Sequence, residues 1–440
     1  MIPFVTGSHR KIDESLPFIS EWKTDNRGVS NSDQITLPLL SAGVYNFTVD
    51  WGDSTQDTIT SWNQAEVTHT YPAAGTYTVT IIGILKGWSF NPGGDRGKII
   101  DISQWGVLDF YSQFTGVADY FIDCVNLDIS ATDAPILENT TSLGTAFFGC
   151  SSLTTPDFSQ WDTSKVTNMN FMFTNCTNFN GDISTWDVSG VNSFLRAFLN
   201  CSSFNQPLND WDVSGVNSIN SFAAMFSNCT SFNQDLDKWD TSNALNMSNM
   251  FQGCTNFNGD VSTWDTGNVT NMGGMFQNCV NFNQDLDQWD TSKVTNMNSM
   301  FNNCRNFNGD VTTLDVSEVI NMQSMFRLCS NFNQNIGVWD VSNVTNMSTM
   351  FQSAVAFDQD IGDWNISSVT NFTNFMAGKN NSNYSAANLD SIYNKWSLLT
   401  VQPNININFN TIKYNSTSQA GRDVLTSAPN NWTINDGGQV

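Results

Sequence analysis

The chain has 440 residues, 40% of them hydrophobic and only 13% charged, and its 41 acidic against 17 basic side chains give a formal net charge of −24. Nucleic acid and anionic membrane surfaces are not expected as partners, because binding phosphate needs clustered Lys and Arg. No apolar run reaches the roughly 18 residues that a membrane-spanning helix needs.

The opening stretch MIPFVTGSHRKIDES lacks the apolar core of a signal peptide, and residues 1–16 are expected to be a leader or attachment arm. From residue 17 to 100, short β-type runs such as VYNFTVDW and GTYTVTIIGIL alternate with turn-rich pieces such as DNRG and GDST. That patterning predicts an all-β sandwich. Gly52 permits a tight turn whose N–H groups the flanking Asp50 and Asp53 can accept. The stretch Asp50-Trp51-Gly52-Asp53-Ser54, with His69-Thr70-Tyr71 and Ala74-Gly75-Thr76-Tyr77-Thr78-Val79, resembles the motif pair of PKD-type immunoglobulin-like domains. Ser54 stands where that family usually has glycine. The resemblance implies a spacer or presentation module. His69, one of two histidines, is expected to hold a structural hydrogen bond. Residues 86–104 are a Gly-rich junction whose GGDRG lacks phosphate-loop spacing.

Repeats occupy residues 101–376. Trp161, Trp186, Trp211, Trp239, Trp264, Trp289, Trp339 and Trp364 recur every 25 residues, with 28 between Trp211 and Trp239 and Leu314 in the one gap. A fixed period of this size predicts a solenoid, here of about eleven rungs. Within a rung, Met272, Met275, Phe276 and Cys279 fall at i, i+3, i+4 and i+7, one face of a short helix. The preceding DVSTWDT reads as a strand. Strands stack more closely than helices, so such rungs would bend into an arc with a parallel sheet on its concave side. The first rungs, around Cys124 and Cys150, are irregular, as end rungs must be. Residues 377–440, with an amphipathic-helix pattern in LDSIYNKWSLL and β alternation in NININFNTIKY, read as a C-terminal cap.

Ala146-Phe147-Phe148-Gly149-Cys150-Ser151-Ser152-Leu153 and the later V-T-N-M-x-x-M-F-x-x-C rungs resemble the BspA-like class of leucine-rich-repeat surface proteins. That resemblance implies an extracellular binding or adhesion array. The combination with a PKD-like domain is similar to surface proteins of marine bacteria and of phages. The expected fold is therefore a PKD-type sandwich, a curved leucine-rich-repeat-type solenoid of parallel β-sheet plus short helices, and a cap.

The candidate sites are columns. Cys124, Cys150, Cys176, Cys201, Cys229, Cys254, Cys279, Cys304 and Cys329 lack the paired spacing of a zinc site and are expected to be buried free thiols, kept apart by helix spacing. Asp162, Asp187, Asp212, Asp240, Asp265, Asp290, Asp315 and Asp340 each follow the Trp position, so an inward Trp points them outward onto the concave face. Stacked carboxylates repel. Local hydrogen bonds in the D-x-S turn, counter-ions or a cationic ligand would offset that. Asp182, Asp235, Asp260, Asp285, Asp310 and Asp360 form a second such column. No cofactor is expected. Calcium remains open at either column, although neither known calcium-loop spacing is present. Asn168, Asn246, Asn271, Asn296, Asn321, Asn346 and Asn371 are expected to form a ladder to neighbouring rungs' backbone. The Trp and Phe columns read as core. The residue before V-T-N-M varies (Lys165, Gly190, Gly215, Lys293, Glu318, Asn343) and offers contact positions.

Two histidines and no converging nucleophile or metal spacing leave no active site, so the chain is expected not to be an enzyme. The leading expectation is a surface recognition or adhesion protein whose acidic array meets a cell-surface protein or glycan, on a cell or a phage virion. The other is a structural spike, fibre or decoration component of a virion or appendage. Virion or surface-assembly proteins would then join through the N-terminal region.

Overall fold

The computed structural model describes residues 16–91, 94–110 and 118–440. The expected leader, residue 16 apart, lies outside them. The chain divides into two compact units, Met1–Val166 with Gly181–Trp186, and Thr167–Asn180 with Asp187–Val440.

In the first unit the strands are β1 (Phe18–Lys23), β2 (Gln34–Thr36), β3 (Leu39–Asp50), β4 (Gln56–Ile59), β5 (Thr68–Thr70), β6 (Thr76–Trp88), β7 (Ile99–Gln104), β8 (Leu108–Asp109) and β9 (Asp128–Ile129). Tyr45, Phe47 and Val49 of β3 are buried while the residues between them are exposed, the period of a half-buried strand. The 13-residue β6 is central. It takes β3 and β1 antiparallel and β8 parallel. β1 then takes β7 antiparallel, and β7 pairs in parallel with β9.

The expected immunoglobulin-like sandwich is therefore not what forms. Seven strands enter one mixed sheet in the order β4-β3-β6-β1-β7-β9, with β8 on β6, and the remaining strands of this unit among the described residues are the three-residue pair β2–β5, too short to form the second layer of a sandwich. The physical reason is local. The stretch between β1 and β3 is rich in turn formers and yields only the three-residue β2, so buried apolar side chains such as Ile35, Leu37, Val67 and Tyr71 come from short segments and turns and not from a second set of long strands. One buried ion pair ties these loops down. Asp95 accepts from the amides of Val29, Ser30 and Thr36, and Lys98 Nζ donates to the carbonyls of Ser30, Asn31 and Gln34. Both side chains are fully buried, 3.7 Å apart, and with this many partners neither charge is left uncompensated.

The repeats also differ from expectation. Met272, Met275, Phe276 and Cys279 are fully buried as anticipated, but no helix carries them. Gly274 and Asn278 have φ of 65° and 64°, which ends any right-handed helix. Alternate amides take different partners. Met275, Gln277 and Cys279 close local turns onto Met272, Gly274 and Phe276 at 2.9–3.2 Å. Met272, Gly274, Phe276 and Asn278 donate instead to Asn296, Asn298, Met300 and Asn302 of the next rung, at 2.7–3.0 Å. Each rung is thus a chain of turns hydrogen-bonded to its neighbour, joined by isolated parallel bridges such as Asn271↔Asn296. The predicted solenoid of parallel sheet and helices is overturned. The i, i+3, i+4, i+7 pattern records which side chains point inward and is equally compatible with successive turns.

The core is a set of ring stacks. Phe276 lies 5.7 Å from Phe251 and 5.8 Å from Phe301 between ring centroids, and Trp264 lies 6.1 and 6.2 Å from Trp239 and Trp289, all nearly parallel. Trp264 and Trp289 donate their indole N–H to Leu236 and Val261 carbonyls at 2.8 and 3.0 Å, so their polar atoms are paired inside the core.

After the repeats come α1 (Ala386–Trp396), β10 (Asn406–Asn408), α2 (Gln419–Thr426) and β11 (Thr433–Asn435). Ser385 caps α1 by accepting from the Asn388 amide. β10 and β11 pair in parallel. Met376 donates to Asn408 at 3.0 Å, so β10 supplies the acceptor that a further rung would have supplied. In the cysteine column, Cys329 is followed 25 residues later by Ala354 and then by Lys379. Lys379 is fully buried, with Nζ donating to the Ala354 carbonyl at 2.6 Å and lying 5.7 Å above the Tyr384 ring.

Two predictions follow from this packing. A Cβ at Gly309 would overlap the Gln284 carbonyl oxygen of the preceding rung, so Gly309→Ala should cost about 1–3 kcal/mol in denaturant unfolding. An unchanged midpoint would show that the rungs do not approach this closely. Burial pulls Lys379 down to about 8, against an opposing effect of Asp358. Between that value and the ordinary 10.5 the unfolded chain binds the extra proton, so this residue's contribution to stability rises with pH across that window. The advantage of Lys379→Met over the native chain should accordingly shrink from pH 7.5 to 9.5. A pH-independent difference in melting temperature would sink this account.

Candidate functional site

The Trp-Asp-x-Ser turn places the acidic column. Trp is buried, the following Asp is exposed, and the next residue, Thr or Val, is buried again. Asp162, Asp187, Asp212, Asp240, Asp265, Asp290, Asp315 and Asp340 are all exposed. Each accepts through Oδ1 from the backbone amide two residues on, at 2.9–3.1 Å. The Ser164, Ser189 and Ser214 hydroxyls add a second donor at 2.6 Å. Hydrogen bonds from the Ser292 side chain and amide hold the Asp290 carboxyl below the usual carboxylate range, and those from Ser242 and Ser342 act likewise on Asp240 and Asp340. These carboxylates are therefore held in local turns through Oδ1. Their main chain is tied as well: Thr241, Thr266 and Thr291 hydroxyls donate to the Asp265, Asp290 and Asp315 carbonyls at 2.8 Å. Asp265 Oδ1 and Asp290 Oδ2 both lie within 3.3 Å of the point where a Gly267 Cβ would sit, so charges of successive rungs share one strip of surface.

The second column bridges rungs. Asp235 and Asp285 accept from the amides of Asp260 and Asp310 at 2.9 and 2.8 Å. Asp182, Asp260, Asp310 and Asp360 accept within their own turns. Hydrogen bonds from the Thr312 amide and hydroxyl hold Asp310 low. Among the described residues, no group of three or more His, Cys, Asp or Glu side chains is placed to hold a metal ion.

The Asn column is mostly local. Asn168, Asn246, Asn271, Asn296, Asn321, Asn346 and Asn371 accept from the amide two residues on. Only in places do they reach a neighbouring rung, as where Asn296 Nδ2 donates to Asn271 Oδ1 at 3.0 Å. The rung-to-rung ladder runs through a different set, the Asn that follows the second Phe. The Asn233, Asn258, Asn283, Asn308 and Asn333 amides each meet the side-chain oxygen of the equivalent Asn one rung earlier, starting from Asn205, at 2.7–2.9 Å. The Phe-Asn step was available in the sequence as its signal.

The nine cysteines are free and buried. Helix spacing is not the reason, since there are no helices there. Each thiol from Cys201 to Cys329 donates to the main-chain oxygen of a Phe in the preceding rung, as Cys279 does to Phe251 at 2.9 Å. Burial pushes these thiols up, so they stay protonated and unreactive. His69 Nε2 lies 2.9 Å from Asp53 Oδ2, with its ring stacked on Trp51 at 4.7 Å, and Ser54 takes a φ of 76° in the same turn. The imidazole thus braces a tight turn. Of the varying positions, Lys165, Gly190, Lys293, Glu318 and Asn343 are exposed and Gly215 is half-buried.

Among the described residues, no helix is long and apolar enough to cross a membrane. Three overlapping stretches, 141–222, 215–290 and 281–392, match the family described as "Mycoplasma protein of unknown function, DUF285". No curated protein matches the chain.

The turn geometry sets a test. Asp290→Asn keeps an acceptor and should leave stability nearly unchanged, whereas Asp290→Ala should lose about 0.5–1 kcal/mol. Because the folded carboxyl is held low, its stabilisation is present above the ordinary carboxylate range and is lost as pH falls through the folded value. Urea unfolding at pH 7 and pH 3 checks both points. Equal losses for Asn and Ala at pH 7 would contradict the turn assignment.

Proposed function

The chain belongs to this DUF285 family, whose function is unknown, and from that premise we propose that it is a non-enzymatic surface protein for recognition and adhesion. In this reading the acidic repeat surface meets a cell-surface protein or glycan, at a cell exterior or on a virion. The observation that carries the reading is the division of labour within each rung. The recurring apolar columns are buried, and what reaches solvent is the carboxylate strip and the positions that vary from rung to rung. Such a scaffold can alter its contacts without altering its core. The net charge of −24 favours approach to a cationic surface. The structural alternative, a spike, fibre or decoration component, draws support from the continuous Asn ladder, which stiffens the rungs against one another.

The test compares labelled full-length chain with a variant carrying Asp240, Asp265, Asp290, Asp315 and Asp340 all changed to Asn, which keeps the turns. Saturable binding to intact candidate cells, weakened at least tenfold in the variant and by added salt, is the expected result. Absence of binding to every cell type, with co-sedimentation into particles instead, would replace recognition by the structural reading.

A further inference from the structure

Along the second unit, the residues three and two places before the M-F pair's Phe carry side chains in most rungs: Ser248-Asn249, Asn298-Ser299, Gln323-Ser324 and Ser348-Thr349. In one rung they are Gly273-Gly274. The missing side chains leave an open cavity of about 160 Å³, room for roughly five waters at liquid density. Its lining includes Asn249, Asn271, Asn296 and Asn298 besides the two glycines.

The amides are arranged, not merely adjacent. The Gly273 amide donates to Asn271 Oδ1 at 3.0 Å, and Asn296 Nδ2 donates to that same oxygen at 3.0 Å. That chain of bonds fixes both side chains. The Asn298 and Asn249 amide ends lean into the space where Cβ atoms of Gly273 and Gly274 would stand. Neither of those two side chains makes a hydrogen bond to another described residue. Two half-buried amide ends, each with an acceptor and a donor, therefore face one recess.

We propose that this recess is a binding site for a single uncharged, hydroxyl-rich ring, a neutral pyranoside unit. Each hydroxyl both donates and accepts, as each amide does, so one ring satisfies both free amide ends at once. No Lys or Arg lines the recess, which leaves an anionic sugar without a counter-charge. Almost no apolar surface lines it, so an aliphatic ligand gains nothing by entering. The aromatic columns are buried and provide no stacking platform, so hydrogen bonds alone hold the ring and its binding is weak. No carboxylate lines the recess, and the site does not depend on the cell-binding reading.

The experiment is saturation-transfer NMR on the full chain with the methyl pyranosides of glucose, galactose and mannose and with N-acetylglucosamine, using N-acetylneuraminic acid as the charged control. Gly273→Asn with Gly274→Ser rebuilds the sequence found one rung later. Ser299 already holds a φ of 56° there, beside 65° for Gly274, so the filled rung has a precedent in this fold. At least one neutral sugar should give saturable transfer, reduced at least tenfold in the filled variant and in Asn249→Ala with Asn298→Ala, which leaves the recess open. Transfer from none of the four neutral sugars, equal transfer in the filled variant, or preference for the charged control overturns the assignment. No cell enters this measurement, so failure of cell binding and failure of this site are read separately.

Discussion

The repeat unit depends on one constraint: every second amide in the M-x-x-M-F-x-x-C segment is spent on the neighbouring rung. Once Met272, Gly274, Phe276 and Asn278 donate outward, the remaining amides can close only short local turns. Turns of that kind, placed end to end, need residues at positive φ, and many rungs supply Asn, Gly or Ser there, as at Asn228, Gly253, Gly274, Asn278 and Ser299, while Leu328 and Thr349 hold the same conformation in others. The side chains left inside are then brought into register by the backbone, so Phe meets Phe and Trp meets Trp. Ring stacking is a consequence of the bonding and adds to it.

The same constraint explains the ends and exceptions. A rung whose donors face no successor would leave amides unsatisfied, and β10 answers that need after residue 376. Three extra residues between Val216 and Phe222 are expelled as a bulge, with Ile219 left 77% exposed, while the bonds on both sides keep their pairing. Gly259 and Gly309 alternate with the Gln-bearing rungs because their main chain lies against the carbonyls of Gln234 and Gln284.

Period, buried columns and exposed carboxylates were all legible in the sequence, because burial repeats at fixed phase whatever the local geometry. The element type was not. Inward positions at i, i+3, i+4 and i+7 suit a helix and a run of turns alike, and what separates them is the residue between. Asn278, Asn303 and Asn228 before the Cys mark left-handed positions that a helix would not require. The sandwich failed for a related reason: motif residues 50–54 and 69–71 do form the expected braced turn, but a turn does not dictate how many strands face the sheet. The Asn ladder was assigned to the wrong Asn because both columns share a period. The amide-lined recess was invisible until two glycines could be set against the rungs beside them.

The donor–acceptor offset has a consequence for heredity. Over the regular part of the second unit, each outward amide meets an oxygen 24 residues ahead. Excising 25 residues between equivalent positions hands every donor an acceptor of the same kind, and duplicating them does the same. An exchange of whole repeats in register thus yields a chain of new length whose backbone donors all find acceptors. Substitution at the exposed positions rides along with each copy, so the number of rungs and the pattern on their surface can diverge while the interior stays as it is.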